Sequence, residues 1–183
     1  RLLPASDFSM SSFLTSGCPI GGASLGRVAE AVLRLLLGQI EESAKVLITD
    51  LDNVLWDGTI AEDGLEGIAF GPEGKGYKHF LYQTLLRRLQ GMGVTLAAVS
   101  RNDADLALQP FRRGNMVLSE KDFVAILASY NAKSAQVAKL AASLNLGLEA
   151  FVFVDDNPVE LAEVAAQLPD VQCLQFPASD EDI

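Results

Sequence analysis

Three short segments of the chain carry residue types that handle phosphate. Asp50-Leu51-Asp52-Asn53-Val54, Ser100-Arg101-Asn102 and Asp155-Asp156-Asn157 each follow an apolar run, and Lys133 opens a helical pattern between the last two. A carboxylate can attack phosphorus to give an aspartyl-phosphate that water later hydrolyses. A second carboxylate nearby can protonate the leaving oxygen and then activate water. Several carboxylates in one place repel unless a cation sits among them, and Mg²⁺ suits such an oxygen-rich site. A hydroxyl and an ammonium can then hold the remaining phosphoryl oxygens. Taken alone, Asp-x-Asp at a strand end is more often a turn with Asx hydrogen bonds. Four such features in order along the chain are a far more specific signal.

The elements that must position these groups are legible as alternating patterns. Val46 to Asp50, Val94 to Val99, Met116 to Leu118, Phe151 to Val154 and Val171 to Leu174 read as short strands. Between them lie predicted helices over about Tyr77–Gln90, Asp103–Leu108, Ser119–Tyr130 and Lys133–Leu144, the third opened by a Ser119/Asp122 capping pair. Gly147 reads as a stop for the fourth. Asn157, Pro158 and Glu160 read as N-cap, first helical position and capping-box acid of another helix. Strands alternating with helices imply a mostly parallel α/β sheet with helices on both faces. Ligands of such sheets bind beyond the carboxyl ends of the strands, where all three motifs fall. The Gly-rich stretch from Asp57 to Gly76 lacks helical period and reads as a small hairpin or flap. Neither the Asp50–Ser100 nor the Ser100–Lys133 interval leaves room for a large cap domain. An uncapped site could accept a substrate carried on another protein. Residues 1–23 read as an arm or linker, followed by a helix over about 24–38 and a core over about 45–176. The chain opens at Arg1 rather than Met, as expected of one domain of a longer enzyme.

The motif order and spacing resemble the haloacid dehalogenase superfamily, a Rossmann-like fold. The resemblance implies Asp50 as nucleophile and Asp52 as general acid/base, with Ser100 and Lys133, and the adjoining Arg101 and Asn102, as the phosphate-binding set. It implies Mg²⁺ held by the Asp50 carboxylate, the Asp52 carbonyl and the Asp155 carboxylate, with Asp156 acting through water. Asp50 to Gly58, with its Trp56-Asp57-Gly58, then Glu62-Asp63-Gly64, Gly71-Pro72-Glu73-Gly74, Ser100 to Asp103 and the block around Phe153 to Pro158, resemble the FkbH-like subfamily more closely. That resemblance runs from about Lys45 to the C-terminus. It implies dephosphorylation of 1,3-bisphosphoglycerate, or a related phosphorylated three-carbon acyl donor, and loading of the acyl unit onto the phosphopantetheine thiol of an acyl carrier protein in polyketide biosynthesis. Family members usually have Thr at the position of Val54, commonly Lys at that of Arg101, and often Cys at that of Val46.

Composition sets the outer bounds. The 183 residues are enough for one packed domain, and the formal charge of −10 argues against nucleic-acid binding. The apolar run around Leu33 to Leu37 is too short to span a bilayer, so no membrane partner is expected. Cys18 and Cys173 are far apart and form no metal or redox pattern, which fits a reduced, cytoplasmic setting. Lys75, Lys78 and Arg101 are candidate contacts for an acidic carrier protein. Trp56 is expected in the core beneath the flap, and His79 on a helix face or at the surface. Two rival functions stand beside acyl loading: an uncapped phosphatase for a small monoester or phosphoprotein, and a receiver-like module that binds phosphate or Mg²⁺ without turnover.

Overall fold

The computed structural model describes residues 44–178; the expected arm over 1–23, the helix over about 24–38 and Cys18 lie outside the described residues. Five short strands form the frame: β1 (Val46–Thr49), β2 (Thr95–Ser100), β3 (Phe123–Ala128), β4 (Phe151–Asp155) and β5 (Gln172–Gln175). All their pairings are parallel, in the order β3-β2-β1-β4-β5. The helices are α1 (Ile60–Gly67), α2 (Tyr77–Gly91), α3 (Ala104–Arg113), α4 (Lys133–Leu144) and α5 (Pro158–Gln167).

Side chains alternate across a strand, so each strand serves two cores. Val46, Ile48, Ala97, Val99, Phe151 and Phe153 face one side, where Val137, Leu140 and Ala141 of α4 and Leu161 and Val164 of α5 cover them. Thr49 points the other way, toward α2, where its Oγ1 accepts a hydrogen bond from Tyr82 Oη at 3.2 Å. On that side Phe111 of α3 meets Phe123 of β3 edge-on, with ring centroids 5.6 Å apart. The α/β sheet therefore has helices on both faces. Among the described residues no helix is long and apolar enough to cross a membrane.

The third strand departs from the sequence expectation. Met116-Val117-Leu118 is not a strand, and the segment after Ser119 is not a helix. Ser119 and Asp122 do form the capping box, but it closes only one 3₁₀ turn, Glu120–Asp122. The following Phe-Val-Ala-Ile-Leu-Ala has no polar stripe for a helix to show to water, and it enters the sheet as β3. Val117 and Leu118 instead donate their N–H groups to Gln83 Oε1, at 3.0 and 3.4 Å. A second difference is α3, which runs past Leu108 to Arg113 although Pro110 lies inside it. The buried faces of Ala107 and Phe111 outweigh the hydrogen bond lost at the proline. At the end of α4 the stop is Asn145 at φ 52°, two residues before Gly147.

The stretch expected as a flap closes on itself. Asp57 and Ala69 pair antiparallel, with N–H to O distances of 2.8 and 3.0 Å in the two directions. Inside this loop lies α1, a helix the sequence reading did not anticipate, bent at Gly64 where φ is 67°. The next turn packs tightly against the loop's return: a Cβ added at Gly76 would stand 2.6 Å from the Gly71 nitrogen and 2.7 Å from that of Phe70. No separate cap domain interrupts the described residues. Gly76→Ala forces backbone against backbone, an overpacking cost of roughly 1–3 kcal/mol. The expected outcome is a fall in thermal midpoint of several degrees, whereas Gly71→Ala, whose Cβ meets nothing within 4 Å, leaves it unchanged.

Candidate active site

Strands β1, β2 and β3 run outward in one direction from the middle of the sheet, and β4 then pairs on the other side of β1. This reversal of strand order leaves a crevice at the carboxyl ends of β1 and β4, where open α/β sheets place their ligands. Asp50 follows β1 directly and continues the ladder, its N–H donating to Val154 O at 2.9 Å. Asp155 ends β4 and Ser100 ends β2; both are buried. Lys133 is the first residue of α4. The cleft between them has a volume of about 200 Å³ and is lined by Asp50, Asp52, Ser100, Arg101, Lys133 and Asp156, with Asn53, Asn157 and Glu160 at its edge. A larger groove of about 380 Å³ lies at the other end of β2 and β3, around Thr95 and Val124, away from the carboxylate cluster.

One ammonium organises the floor. Lys133 Nζ lies 2.9 Å from Asp50 Oδ2 and 2.5 Å from Asp155 Oδ2. Burial pulls the Lys133 pKa down, but Asp50 and Asp155 overcome it and hold it above the usual lysine value. Burial pushes the Asp50 carboxyl up to about 7, with Lys133 opposing and Asp155 reinforcing the shift. Asp156 is raised as well, by its own burial and by Asp155.

The same cluster fits a divalent cation. Carboxylate oxygens of Asp50, Asp155 and Asp156 all lie within 4.8 Å of one another. Asp50 Oδ1 is buried and has no hydrogen-bond partner among the described residues. A buried carboxylate oxygen left so is costly unless a cation takes it. With all three carboxyls ionised, one ammonium leaves two negative charges for a cation to offset. Hard oxygen donors of this kind suit Mg²⁺.

Asp52 sits in different company. Its Oδ1 accepts from Trp56 Nε1 at 2.8 Å and from the Ile60 N–H at 3.0 Å, and its Oδ2 accepts from Asn102 Nδ2 at 2.9 Å. Burial raises its pKa, and these bonds hold the rise in check. The loop that carries it turns through Asn53 at φ 56° and is clamped from α2. His79 Nδ1 lies 2.8 Å from Val54 O, and Gln83 Nε2 donates to Leu55 O at 2.7 Å. His79 is buried rather than at the surface, with its ring stacked on Phe176.

The remaining expected site residues spread along the rim. Ser100 and Lys133 line the cleft, whereas Asn102 is buried behind Asp52 with its amide nitrogen engaged there. Arg101 lies at the mouth and pairs with Glu160 Oε1 at 2.9 Å, so Glu160 serves this ion pair instead of the expected capping box. The Asn157 cap is present, its side chain accepting from the Val159 N–H. Lys78 is tied to the carbonyls of Pro177 and Ala178, at 3.2 Å each. Asn53, Glu160 and the Trp56 contact with Asp52 were not read from the sequence, although their place inside or beside the motifs was a usable signal. Cys173 pairs in register with Phe153 and packs on the α4–α5 side, with its thiol pKa raised by burial and by Asp155.

The strand order, the uncapped crevice and the aspartates at its strand ends define a haloacid dehalogenase-like fold. No family model matches the chain, and no curated protein matches it. Among solved structures, the N-terminal part of a Bacteroides fragilis protein, containing a phosphatase domain and complexed with Mg, is 28% identical with a TM-score of 0.72. That match covers 93% of this chain, which spans 46% of the other. A HAD family enzyme from Bacteroides thetaiotaomicron, in complex with magnesium and inorganic phosphate, shares the fold at 14% identity and TM-score 0.52, over 75% of this chain and 96% of that one. An uncharacterized protein from Corynebacterium glutamicum shares it at 18% and 0.52, over 75% and 88%.

The raised Asp50 pKa has a signed consequence for stability. The folded state binds this proton more tightly than the unfolded chain, so its contribution is full below about 3.8 and is lost as pH rises toward about 7. Metal-free protein should therefore melt at a lower temperature at pH 7 than its Asp50→Asn variant, which lacks the titration. Mg²⁺ should raise the wild-type midpoint at pH 7 and have little effect on the variant. Thermal scans with and without Mg²⁺ check this, and a wild-type midpoint indifferent to Mg²⁺ at pH 7 would remove the case for a cation among these carboxylates.

Proposed function

We propose that this domain is a magnesium-dependent phosphatase of the haloacid dehalogenase type, with Asp50 as nucleophile and Asp52 as general acid/base. The observation that carries the reading is the pairing of two unlike carboxylates in one cleft. Asp50 is set among a lysine and two further aspartates, and Asp52 is held only by neutral donors. Such a division of environments assigns separate roles to two acids of the same type. The similar Bacteroides fragilis structure, which contains a phosphatase domain complexed with Mg, supports the class of reaction.

In this reading a phosphate ester enters the cleft with its phosphoryl oxygens toward Ser100 and Lys133. Asp50 attacks phosphorus as the bond to the leaving oxygen breaks, and Asp52 gives that oxygen a proton. Asp52 then takes a proton from water, which attacks the aspartyl-phosphate and releases inorganic phosphate. Mg²⁺, held by Asp50, Asp155 and Asp156, would neutralise charge that builds on the phosphoryl oxygens. A module that only accepts phosphate has no need of an acid at Asp52, which weighs against the receiver-like alternative.

The finer reading is acyl loading. Here the substrate is 1,3-bisphosphoglycerate or a related phosphorylated three-carbon acyl donor. The acyl carrier protein thiol attacks the acyl-phosphate carbonyl, the phosphate on that carbonyl leaves as inorganic phosphate, and the remaining phosphate ester is the one Asp50 would remove. Its support is the sequence likeness to FkbH-like domains and a cleft open enough to meet a carrier-borne group. Cys173 packs on the core side with a raised thiol pKa, which favours direct transfer to the carrier over an enzyme thioester at that residue.

Intact mass of a holo carrier protein incubated with the domain, Mg²⁺ and 1,3-bisphosphoglycerate separates the readings. A gain of one glyceryl group supports loading, and phosphate release without an adduct leaves the uncapped phosphatase. Asp50→Asn should lower phosphate release by at least ~10³-fold, since the nucleophile is lost. A variant that kept full release would overturn the nucleophile.

A further inference from the structure

The three hydrogen bonds on Asp52 do more than satisfy buried groups. A carboxylate offers about four lone-pair sites, two on each oxygen. Trp56 Nε1 at 2.8 Å and Ile60 N at 3.0 Å both donate to Oδ1, which fills that oxygen. Asn102 Nδ2 takes one site on Oδ2 at 2.9 Å, so one site there remains. A proton carried by Asp52 is thereby confined to Oδ2.

All three donors are neutral. The described ion pairs of Lys133 go to Asp50 and Asp155, not to Asp52. The three donors fix the orientation of the carboxyl without placing a formal charge in contact with it. The donors also come from parts of the fold that cannot move separately. Trp56 is fully buried, and its ring meets Phe111 edge-on at 6.0 Å, which in turn meets Phe123 at 5.6 Å. This aromatic chain ties the indole to α3 and β3. Asn102, buried at 3% exposure, is fixed by its place just beyond β2. A buried indole N–H needs some acceptor, and a backbone carbonyl would serve it at less cost than a carboxylate lining the cleft.

We infer that Trp56 and Asn102 are positioning residues that hold the Asp52 carboxyl in one orientation and reserve Oδ2 for the proton passed to the leaving oxygen. The inference rests on the phosphatase reading for its chemistry. In the step concerned, the bond from phosphorus to the leaving oxygen breaks, its electron pair stays on that oxygen, and the proton on Oδ2 follows it. Help of this kind matters for a poor leaving group such as an alkoxide and much less for a stabilised phenolate.

The test compares kcat/KM for glycerol phosphate and for p-nitrophenyl phosphate in wild type, Trp56→Phe and Asn102→Ala. kcat/KM is used because it reports steps up to loss of the leaving group and not the later hydrolysis. The expected result is a loss on glycerol phosphate that exceeds the loss on p-nitrophenyl phosphate by ~10- to 100-fold, within the range that general acids supply. Equal losses on the two substrates in both variants would mean a merely structural role and overturn the inference, as would no loss on either. Asn102→Ala leaves the aromatic chain intact, so it decides the matter if Trp56→Phe fails to fold. A second readout needs no turnover. Trp56 is the only tryptophan in the chain, so Asp52→Ala should shift the emission maximum of the folded protein. An unchanged maximum overturns the contact itself. A wild type that hydrolyses neither ester but shows the emission shift would place the failure in the phosphatase reading, not in the contact.

Discussion

A buried ammonium shared by two carboxylates is the interaction on which this molecule turns. Lys133 brings the first residue of α4 to the ends of β1 and β4 at once. Taking three charges out of water is expensive, and their attraction offsets the cost only when the geometry is tight. Here the strand pairing of β1 with β4 fixes the two carboxylates, and the helix start fixes the lysine. The same charges that close the sheet's crevice are those a phosphoryl group would meet. Fold and chemistry therefore draw on one electrostatic arrangement, and neither can be altered alone.

The loop after β1 is the second rigid part. It must turn sharply to bring Asp52 back beside Asp50, and it has no strand partner along most of its length. Helix α2 supplies the missing support through two polar side chains, His79 and Gln83, which meet the carbonyls of Val54 and Leu55. Buried polar residues on a helix face are unusual unless each finds a partner, and here each partner is backbone of the motif loop. The support reaches the Asp50–Asp52 pair without any group of α2 entering the cleft.

Much of this was legible in the sequence, and the exceptions are instructive. Val46 to Asp50 and Phe151 to Val154 read as buried strands because continuous apolar runs bounded by polar residues admit few other interpretations. The aspartates, Ser100 and Lys133 followed from their places at element ends. Phe123 to Ala128 misled because a capping pair precedes it, and a cap signals the start of a turn, not its length. The helix within the flap was invisible because Gly64 interrupts its period. Asn102 was assigned by its neighbourhood, but whether its amide faces phosphate or Asp52 depends on side-chain direction, which spacing does not encode. The Trp56–Asp52 bond was hidden for the same reason: a lone tryptophan reads as core, and it is core, with its one polar atom turned toward the site.

The reversal of strand order has a consequence for how the protein comes into being. The crevice exists only between β1 and β4, neighbours in the sheet that are separated along the chain by two other strands and their crossover helices. Closing so long a loop is entropically slow, and it precedes any reward from the contacts it makes. A chain that has paired β1 with β2 and β2 with β3 has formed three strands of the sheet and still lacks Asp156 and Asp155, the second partner of Lys133. On the ribosome the same order holds, since β4 emerges well after β1. The nascent domain thus lacks the cleft's cluster of carboxylates and ammonium until its topology is nearly complete, and completion of the cluster doubles as a report that the sheet has closed correctly.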